Sequence, residues 1–413
     1  MKTKNYHERT LSSILRRATS QFPAIVVTGP RQSGKTTLVR RLFDSTHKYV
    51  TLDDPLVREQ ALGDPRLLLE RFPPPLILDE IQYAPELLHY VKMDIDEHRQ
   101  EYGRYVVTGS QTFALMQGAT ESLAGRAAIL SLLSMSLGEL AGRPDADAAW
   151  KDLLFTSEKN ASAAHGFDSA AILRAIHKGG FPEPALSPGM DPRLWHSSYV
   201  QTYLERDVRS LRAVADLGDF QRLLLSLAHR AGSLINHSDI ARDLGITAKT
   251  TKAWVDILEA SGQVFTLKPF FTNLGKRLVQ RPKVYFLDTG VLSYLLDLTD
   301  PEQVTQGMHG GPLFETAVLG QLVRLFLHRG ERPRIYFWRT AAGHEVDFVI
   351  EDGNLLIPIE AKLTATPSAK HATAIERFQE LFGSRAGKGL LVCLCAERFP
   401  LTRNVEAVPF GSF

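Results

Sequence analysis

A glycine-rich run near the amino terminus has the residue types and the spacing of a phosphate-binding loop. It follows the pattern G-x-x-x-x-G-K-[ST], and its glycines let backbone N–H groups turn inward around a phosphate. Lys35 would reach the β- and γ-phosphates of ATP, and Thr36 would supply a hydroxyl to Mg²⁺. A chance glycine-rich turn is the alternative. The candidate nucleotide-binding residues are Gly29, Pro30, Arg31, Gln32, Ser33, Gly34, Lys35, Thr36 and Thr37.

A second run supplies the acids that this chemistry needs. The apolar residues 76–78 are followed by Asp79 and Glu80. Asp79 would hold Mg²⁺ through water, and Glu80 would polarise the attacking water as a general base. A buried strand followed by a solvated acidic turn is the alternative, which the phosphate-binding loop upstream disfavours.

A third group of charged residues lies near the carboxyl terminus. Two apolar runs flank a turn at 351–354, and a pair between Ile350 and Leu355 would place Asp347 opposite Pro358. Strand alternation then sets Asp347, Glu360 and Lys362 on one face, with Glu345 opposite Glu360, and a helix opening at 312 would bring Glu315 to the same edge. Carboxylates with a lysine suit a divalent metal that activates water. A hairpin with solvated charges is the alternative.

The elements that must position these residues follow from the patterns around them. Apolar strands at 24–27, 47–52, 76–78 and 104–108 alternate with helical patterns, which predicts a parallel sheet with its ligand at the carboxyl ends of the strands. Thr108 and Ser110 would lie at that edge, where either could sense the γ-phosphate. Residues 6–20 predict a basic amphipathic helix that packs beside this sheet.

The middle of the chain predicts a different kind of module. Small and polar residues at 140–170 indicate a surface connection, and the helical patterns that follow indicate a lid beside the nucleotide. Helices at 236–244 and 247–258 have helix-turn-helix spacing, and a hairpin ending at 286 completes a winged helix. A basic face would contact DNA phosphates, although such modules also bind proteins. Its members are Lys249, Lys252, Lys268, Lys276, Arg277, Arg281 and Lys283.

The bulk properties of the 413 residues are those of an ordinary globular protein, with 44% hydrophobic and 23% charged residues. The net charge of +2 means that any contact with nucleic acid must come from local patches. Cys393 and Cys395 share one face of an apolar strand pattern, as core residues do, which indicates a reducing compartment. With no apolar run that could span a membrane and no signal peptide, we expect a cytoplasmic protein.

The motifs together resemble those of AAA+-type ATPases of bacteria and archaea that carry a C-terminal domain of unknown function. The resemblance rests on the loop and acidic runs above, on the segments at 52–55, 108–110 and 123–126, and on those at 179–183, 203–208 and 345–348. It implies an α/β fold and a homo-oligomer, with a hexamer-type ring as one form. An arginine finger is then expected, for which Arg126 is the first candidate and Arg206 and Arg209 are the alternatives.

The C-terminal D…E-x-K arrangement resembles the core of restriction-endonuclease-like nucleases. That resemblance implies Glu315, Asp347 and Glu360 as metal ligands and Lys362 as the catalytic cation. Val346 stands where a proline often precedes the aspartate, and an inherited fold that no longer cuts is the alternative.

Four regions follow from these patterns. They are a P-loop ATPase core at 1–140, a helical lid at 141–215, a winged helix at 216–286 and an α/β restriction-endonuclease-like domain at 287–413. The predicted function is ATP binding and hydrolysis coupled to action on DNA, branched DNA being one candidate form. The alternative is an ATP-dependent switch that binds a protein partner and cuts nothing.

Overall fold

Two β-sheets organise the chain. The computed structural model describes residues 6–110, 123–144, 150–155, 168–203, 216–270, 281–340 and 342–412. The amino-terminal sheet has five strands in the order β2-β3-β4-β1-β5, and all of its pairs are parallel. Its strands are β1 (Ala24–Thr28), β2 (Lys48–Thr51), β3 (Leu76–Asp79), β4 (Tyr105–Thr108) and β5 (Ala127–Ser131). This confirms the predicted α/β fold with an amino-terminal parallel sheet.

Helices cover both faces of this sheet. They are α1 (Leu11–Thr19), α2 (Lys35–Phe43), α3 (Pro55–Gly63), α4 (Pro65–Arg71) and α5 (Leu87–Glu97). The short helix α6 (Leu137–Leu140) follows β5, and its Leu137 packs in a separate hydrophobic cluster. Side chains of β1 alternate between the two faces, so that Val26 packs in one hydrophobic cluster and Val27 in the other. Leu11 and Leu15 of α1 pack in the same cluster as Val27, which confirms the predicted amphipathic helix.

The second sheet has eight strands in the order β12-β13-β11-β10-β9-β8-β6-β7. Its strands are β6 (Val264–Pro269), β7 (Lys283–Phe286), β8 (Ile335–Arg339), β9 (Glu345–Asp352), β10 (Leu355–Ala361), β11 (Gly389–Cys393), β12 (Phe399–Pro400) and β13 (Val405–Pro409). Because β6 and β7 belong to it, the sheet runs across the predicted boundary after residue 286.

Most of the remaining helices share one hydrophobic core with this sheet, whereas the last of them packs in two smaller clusters. The remaining helices are α7 (Trp150–Phe155), α8 (Ser169–Lys178), α9 (Pro182–Leu186), α10 (Pro192–Tyr203), α11 (Leu217–Ala228), α12 (His237–Leu244), α13 (Ala248–Ala260), α14 (Thr289–Leu295), α15 (Gly310–Leu327) and α16 (Thr373–Phe382). Ile176 of α8, Leu224 of α11 and Phe314 of α15 all lie in that core. The predicted lid, middle module and C-terminal domain therefore pack as neighbours around common apolar contacts.

Helices α12 and α13 form the predicted pair with a short connection. Gly245 ends α12 with φ +72°, a left-handed conformation that favours glycine. Thr247 caps α13, because its side chain accepts a hydrogen bond of 3.0 Å from the backbone N–H of Thr250. Both predicted helices are confirmed.

The β9–β10 hairpin pairs in a different register from the predicted one. Ile350 lies opposite Ile357, and a two-residue loop follows Asp352, with Gly353 at φ +59°. The expected pair of Ile350 with Leu355 is wrong by two residues because the turn is tighter than four residues. A shift of two keeps side chains on their own face, and it moves Asp347 from opposite Pro358 to opposite Glu360.

Helix α15 is the longest of the described helices, with 18 residues, and buried positions occur all around it. It packs inside the protein, against strands and neighbouring helices. Neither α15 nor any other helix in the described part of the chain combines the length and the apolarity needed to cross a membrane. Cys393 and Cys395 are free thiols in the core, as predicted.

A buried ion pair joins the segment before α1 to α6, beside the end of α15. Arg9 Nε lies 3.0 Å from Glu139 Oε2, and both side chains are buried. His328, just after α15, accepts a 3.2 Å hydrogen bond on Nε2 from the backbone of Leu133 and places Nδ1 3.4 Å from Glu139 Oε1. Burial lowers the pKa of His328, so the imidazole is neutral near pH 7 and Arg9 supplies the positive charge. Burial alone would raise the pKa of Glu139, but the charge of Arg9, the contact with His328 and the hydrogen bond from the N–H of Ser136 together outweigh it and hold that pKa far below its usual range.

Replacing Glu139 tests this pair. Glu139→Gln should lower the free energy of unfolding by about 3–5 kcal/mol, because it leaves Arg9 buried without its counter-charge. Urea unfolding followed by circular dichroism measures the loss. Asp44→Asn is the matched control, since Asp44 pairs with Arg40 at the surface and should cost under about 1 kcal/mol. Equal losses in the two variants would contradict the role given to Glu139.

Candidate functional site

The phosphate-binding loop lies between β1 and α2, as its sequence predicts. Gly29 has φ +146° and Gly34 has φ +95°, both in the left-handed range. A Cβ on Gly29 would lie 2.0 Å from the carbonyl oxygen of Leu132, so no side chain fits there. The ammonium of Lys35 donates hydrogen bonds of 3.0 and 2.9 Å to the carbonyls of Gly29 and Pro30. These contacts hold Lys35 inside the loop that would enclose a phosphate.

Gln32 and Ser33 form the middle of the loop, and the backbone of Ser33 contacts a residue outside it. Gln32 has φ +60°, and Ser33 is buried. The backbone carbonyl of Ser33 accepts a 2.8 Å hydrogen bond from Arg9 Nη1, which ties the loop to the ion pair with Glu139. Arg31 lies within the same loop, and Thr37 lies in the first turn of α2. The loop is therefore supported from behind by a residue outside the motif.

Asp79 lies at the end of β3, where it meets the loop. Its carboxylate accepts hydrogen bonds from the hydroxyls of Thr36 at 3.0 Å and Tyr49 at 2.7 Å, and from the hydroxyl of Thr108. Burial and the neighbouring Asp79 raise the pKa of Tyr49, so its hydroxyl keeps the proton that it donates. A hydroxyl and a carboxylate that meet in this way are oxygen donors of the kind that Mg²⁺ takes, and the residues present fit that ion.

Glu80 follows Asp79 in a left-handed conformation, with φ +59°. The side-chain amide of Gln82 donates a hydrogen bond to the Glu80 carboxylate. The carbonyl oxygen of Gln82 accepts a 3.3 Å hydrogen bond from the backbone N–H of Ser110. Gln82 thus links the candidate general base to the segment after β4. The sequence analysis missed both Gln82 and Tyr49, because nothing in their local pattern names their partners.

Arg126 does not lie at the nucleotide edge of its own chain. It precedes β5, and its carbonyl oxygen accepts a hydrogen bond from the N–H of Ala24, at the start of β1. The loop follows the other end of β1, so Arg126 is at the opposite edge of the sheet. Its guanidinium makes two hydrogen bonds, of 2.7 and 2.9 Å, to Asp96. The guanidinium of Arg126 therefore lies away from the phosphate-binding loop of its own chain, and Arg206 and Arg209 lie outside the described residues.

A second group of charged side chains meets where β7, α15 and β9 come together. The ammonium of Lys283 lies 3.0 Å from Glu315 Oε1 and 2.5 Å from Glu345 Oε1. The hydroxyl of Tyr285 donates a hydrogen bond to Glu315. Lys283 is buried, so it does not lie on the exposed basic face that the sequence predicted for it.

Asp347, Glu360 and Lys362 extend this group along the hairpin. The regular ladder of β9 and β10 ends at Phe348 and Ile359. Beyond it, the N–H of Ala361 donates a 3.0 Å hydrogen bond to Asp347 Oδ2, and the N–H of Asp347 donates one of 3.4 Å to Glu360 Oε2. Lys362 Nζ lies 2.7 Å from Glu360 Oε1. The structure therefore brings the four predicted residues of this site, Glu315 included, into one group.

The carboxylates of this group do not titrate as isolated acids. Burial, followed by the charge of Asp347, raises the pKa of Glu315 to about 7 and that of Glu360 to about 8. Burial also raises the pKa of Asp347. Within the described ranges, no three side chains of His, Cys, Asp or Glu meet in a group that could hold a metal ion.

The predicted DNA-binding residues are placed only in part. Lys249 and Lys252 are exposed on α13. Lys252 Nζ lies 2.7 Å from Asp256, one turn further along the helix. Lys276 and Arg277 fall outside the described residues. Of the other members of the predicted basic face, Lys268 and Arg281 are exposed, whereas Lys283 is buried.

Three family descriptions match successive parts of the chain. Residues 21–141 match the family described as "AAA domain". Residues 170–302 match "Domain of unknown function (DUF8612)", and residues 310–413 match "Domain of unknown function (DUF4143)".

Relatives and solved structures extend the comparison. The chain is 30% identical over 403 residues to "Uncharacterized protein Mb2031c" of Mycobacterium bovis and to "Uncharacterized protein Rv2008c" of Mycobacterium tuberculosis. The match covers 97% of this chain and 83% of each relative. A solved structure, the Walker-type ATPase PABY2304 of Pyrococcus abyssi, is 14% identical with a TM-score of 0.45. That likeness covers 71% of this chain and 97% of the other.

Gly29 offers a direct test of the loop geometry. Gly29→Ala should abolish detectable MgATP binding, because its Cβ would displace the strand end at Leu132 and distort the loop. The shift of the thermal unfolding midpoint by MgATP measures binding. Gly63→Ala is the control, because nothing lies within 4 Å of its Cβ, and it should keep the full shift. A normal shift in Gly29→Ala would contradict the geometry.

Proposed function

The chain belongs to the family of the mycobacterial proteins Mb2031c and Rv2008c and has an AAA domain at residues 21–141, and on this basis we propose that it binds and hydrolyses ATP with Mg²⁺. The observation that carries the proposal is the meeting of Lys35, Thr36 and Asp79 at the carboxyl edge of a parallel sheet. Phosphate-binding loops and their metal-side carboxylate require this arrangement.

Each residue of the site has a part in the proposed reaction. Lys35 would leave the loop carbonyls to contact the β- and γ-phosphates, and the backbone N–H groups of 29–34 would enclose them. Thr36 and Asp79 would hold Mg²⁺, which when bound neutralises charge on the phosphates. Glu80 would orient and deprotonate the attacking water once it is released from Gln82.

Paired substitutions test this proposal. Lys35→Ala should lose ATP binding, and Glu80→Gln should keep binding but lose turnover by at least about 100-fold, because the general base is removed. Phosphate release measures turnover, and a fluorescent ATP analogue measures binding. Glu59→Gln, the same change at an exposed position on α3, should turn over normally. Turnover that survives in Lys35→Ala would refute the assignment.

We further propose that the protein acts on DNA through α11–α13 and the β6–β7 pair, arranged as a winged helix, with the nuclease-like C-terminal region beside it. Exposed lysines near the start of α13 support this, because a helix end with Lys249 and Lys252 favours phosphates electrostatically. Branched DNA is included among the candidate forms. No cleavage step is assigned to the C-terminal region.

Assembly and partners form part of the same proposal. In a homo-oligomer, of which a hexamer-type ring is one form, Arg126 would act on a neighbouring chain, after release from Asp96. The second candidate function is an ATP-dependent switch that binds a protein partner. The surface pair of Lys252 with Asp256 favours it, because Asp256 offsets part of the positive charge of α13.

Salt dependence distinguishes the two functions. Binding of duplex, single-stranded and four-way-junction DNA should weaken steeply with salt, and Lys249→Ala and Lys252→Ala should each reduce the logarithmic salt slope by about 1. Fluorescence anisotropy measures both. Lys370→Ala, an exposed lysine of the C-terminal region, is the control and should leave the slope unchanged. Failure to bind any of the three DNA forms would favour the protein-directed switch.

A further inference from the structure

A lysine occupies the centre of the carboxylate group in the C-terminal region. The Lys283 side chain is only 4% exposed, and its ammonium contacts Glu315 and Glu345 at once. The ammonium also lies over an aromatic ring, with Nζ 5.6 Å from the centre of Phe337. Metal sites built from carboxylates place a cation in this kind of position. Here the position is taken by a side chain of the protein.

Strand pairing fixes Lys283 there. Lys283 pairs with Leu267 of β6 and forms a bridge with Leu234, so its backbone is held on both sides. Tyr285, two residues further along β7, points to the same side and donates a hydrogen bond to Glu315. Two consecutive side chains on one face of β7 thus engage the same glutamate. Moving the backbone of Lys283 away from the carboxylates would require breaking these strand pairings.

The charges of the group are close to balanced without a metal ion. Glu315, Glu345 and Glu360 lie at ion-pair distances from three cations, Lys283, Lys362 and Arg339. Asp347 instead accepts a hydrogen bond from the N–H of Ala361. Each of these three glutamates therefore has a cation of the protein within 3.0 Å, where a bound metal ion would otherwise supply the positive charge.

We infer that Lys283 is the built-in cation of this group and that it replaces the divalent metal that the Glu315, Asp347, Glu360 and Lys362 pattern would otherwise hold. The C-terminal region then contacts its partner without metal-dependent cleavage. This inference does not depend on ATP hydrolysis, because none of its residues belongs to the nucleotide site.

Counting bound Mn²⁺ tests the inference. The protein is prepared without nucleotide and with Asp79→Asn, so that the nucleotide site contributes no metal, and free Mn²⁺ is measured by electron paramagnetic resonance. This parent should bind no Mn²⁺ at the carboxylate group. Adding Lys283→Met should create one Mn²⁺ site per chain, at least about tenfold tighter than any residual binding, because the carboxylates lose their cation. Adding Asp347→Asn should abolish that site.

Two results would overturn the inference. One is a Mn²⁺ ion on the parent that disappears with Asp347→Asn, because a metal would then coexist with Lys283. The other is a folded Lys283→Met variant that gains no Mn²⁺ site. Lys268→Met is the matched control, since Lys268 is exposed on the neighbouring strand and its loss should create no site. If Lys283→Met does not fold, the parent alone decides the question, since it either binds Mn²⁺ through Asp347 or does not.

Discussion

The buried ion pair of Arg9 and Glu139 is the contact on which the rest of the structure depends. Arg9 reaches the carbonyls of Ser33 and Leu133 at 2.8 Å each, so one guanidinium touches the phosphate-binding loop and the segment after β5. Glu139 also accepts a 2.7 Å hydrogen bond from the N–H of Thr10 and contacts His328. A single carboxylate therefore orders three parts of the chain behind the loop. A charge buried so completely is tolerated only with its partners in place.

A second buried network of hydrogen bonds, a short distance away, also joins α15 to the segment after β5. Arg324 on α15 donates hydrogen bonds to the carbonyl of Ser134 at 2.9 Å and to that of Leu287 at 2.7 Å. Asp288 accepts from the Ser134 hydroxyl at 2.8 Å and from the N–H of Gly180 at 2.9 Å, and it caps α14. The two networks place the back of the nucleotide loop and the helix that bears Glu315 in one continuous set of polar contacts.

The parts of the fold that local sequence determines could be predicted, and the parts that depend on distant partners could not. The strand, loop and helix around Lys35 and the cap at Thr247 follow from residues a few positions apart. The buried position of Arg9 could not be predicted, because its partner Glu139 is far along the chain and no local pattern marks it. The same holds for Gln82, whose contacts with Glu80 and Ser110 depend on how β3 and β4 lie side by side.

In the C-terminal group, it was easier to predict which carboxylates meet than to predict what chemistry they can perform. Strand alternation has a period of two, so a predicted register that was wrong by two residues still placed Asp347 and Glu360 on the same face of neighbouring strands. The observed register brings these two residues together just beyond the last paired residues, Phe348 and Ile359. Lys283, however, arrives from β7, which joins the sheet beside β6 at its far edge. Spacing within a hairpin can place carboxylates, but it cannot show which cation the rest of the fold delivers to them. In the sequence, Lys283 looks like part of an exposed basic face. In the structure it is the counter-charge of a buried acidic group, and its presence there changes the chemistry that the group can perform.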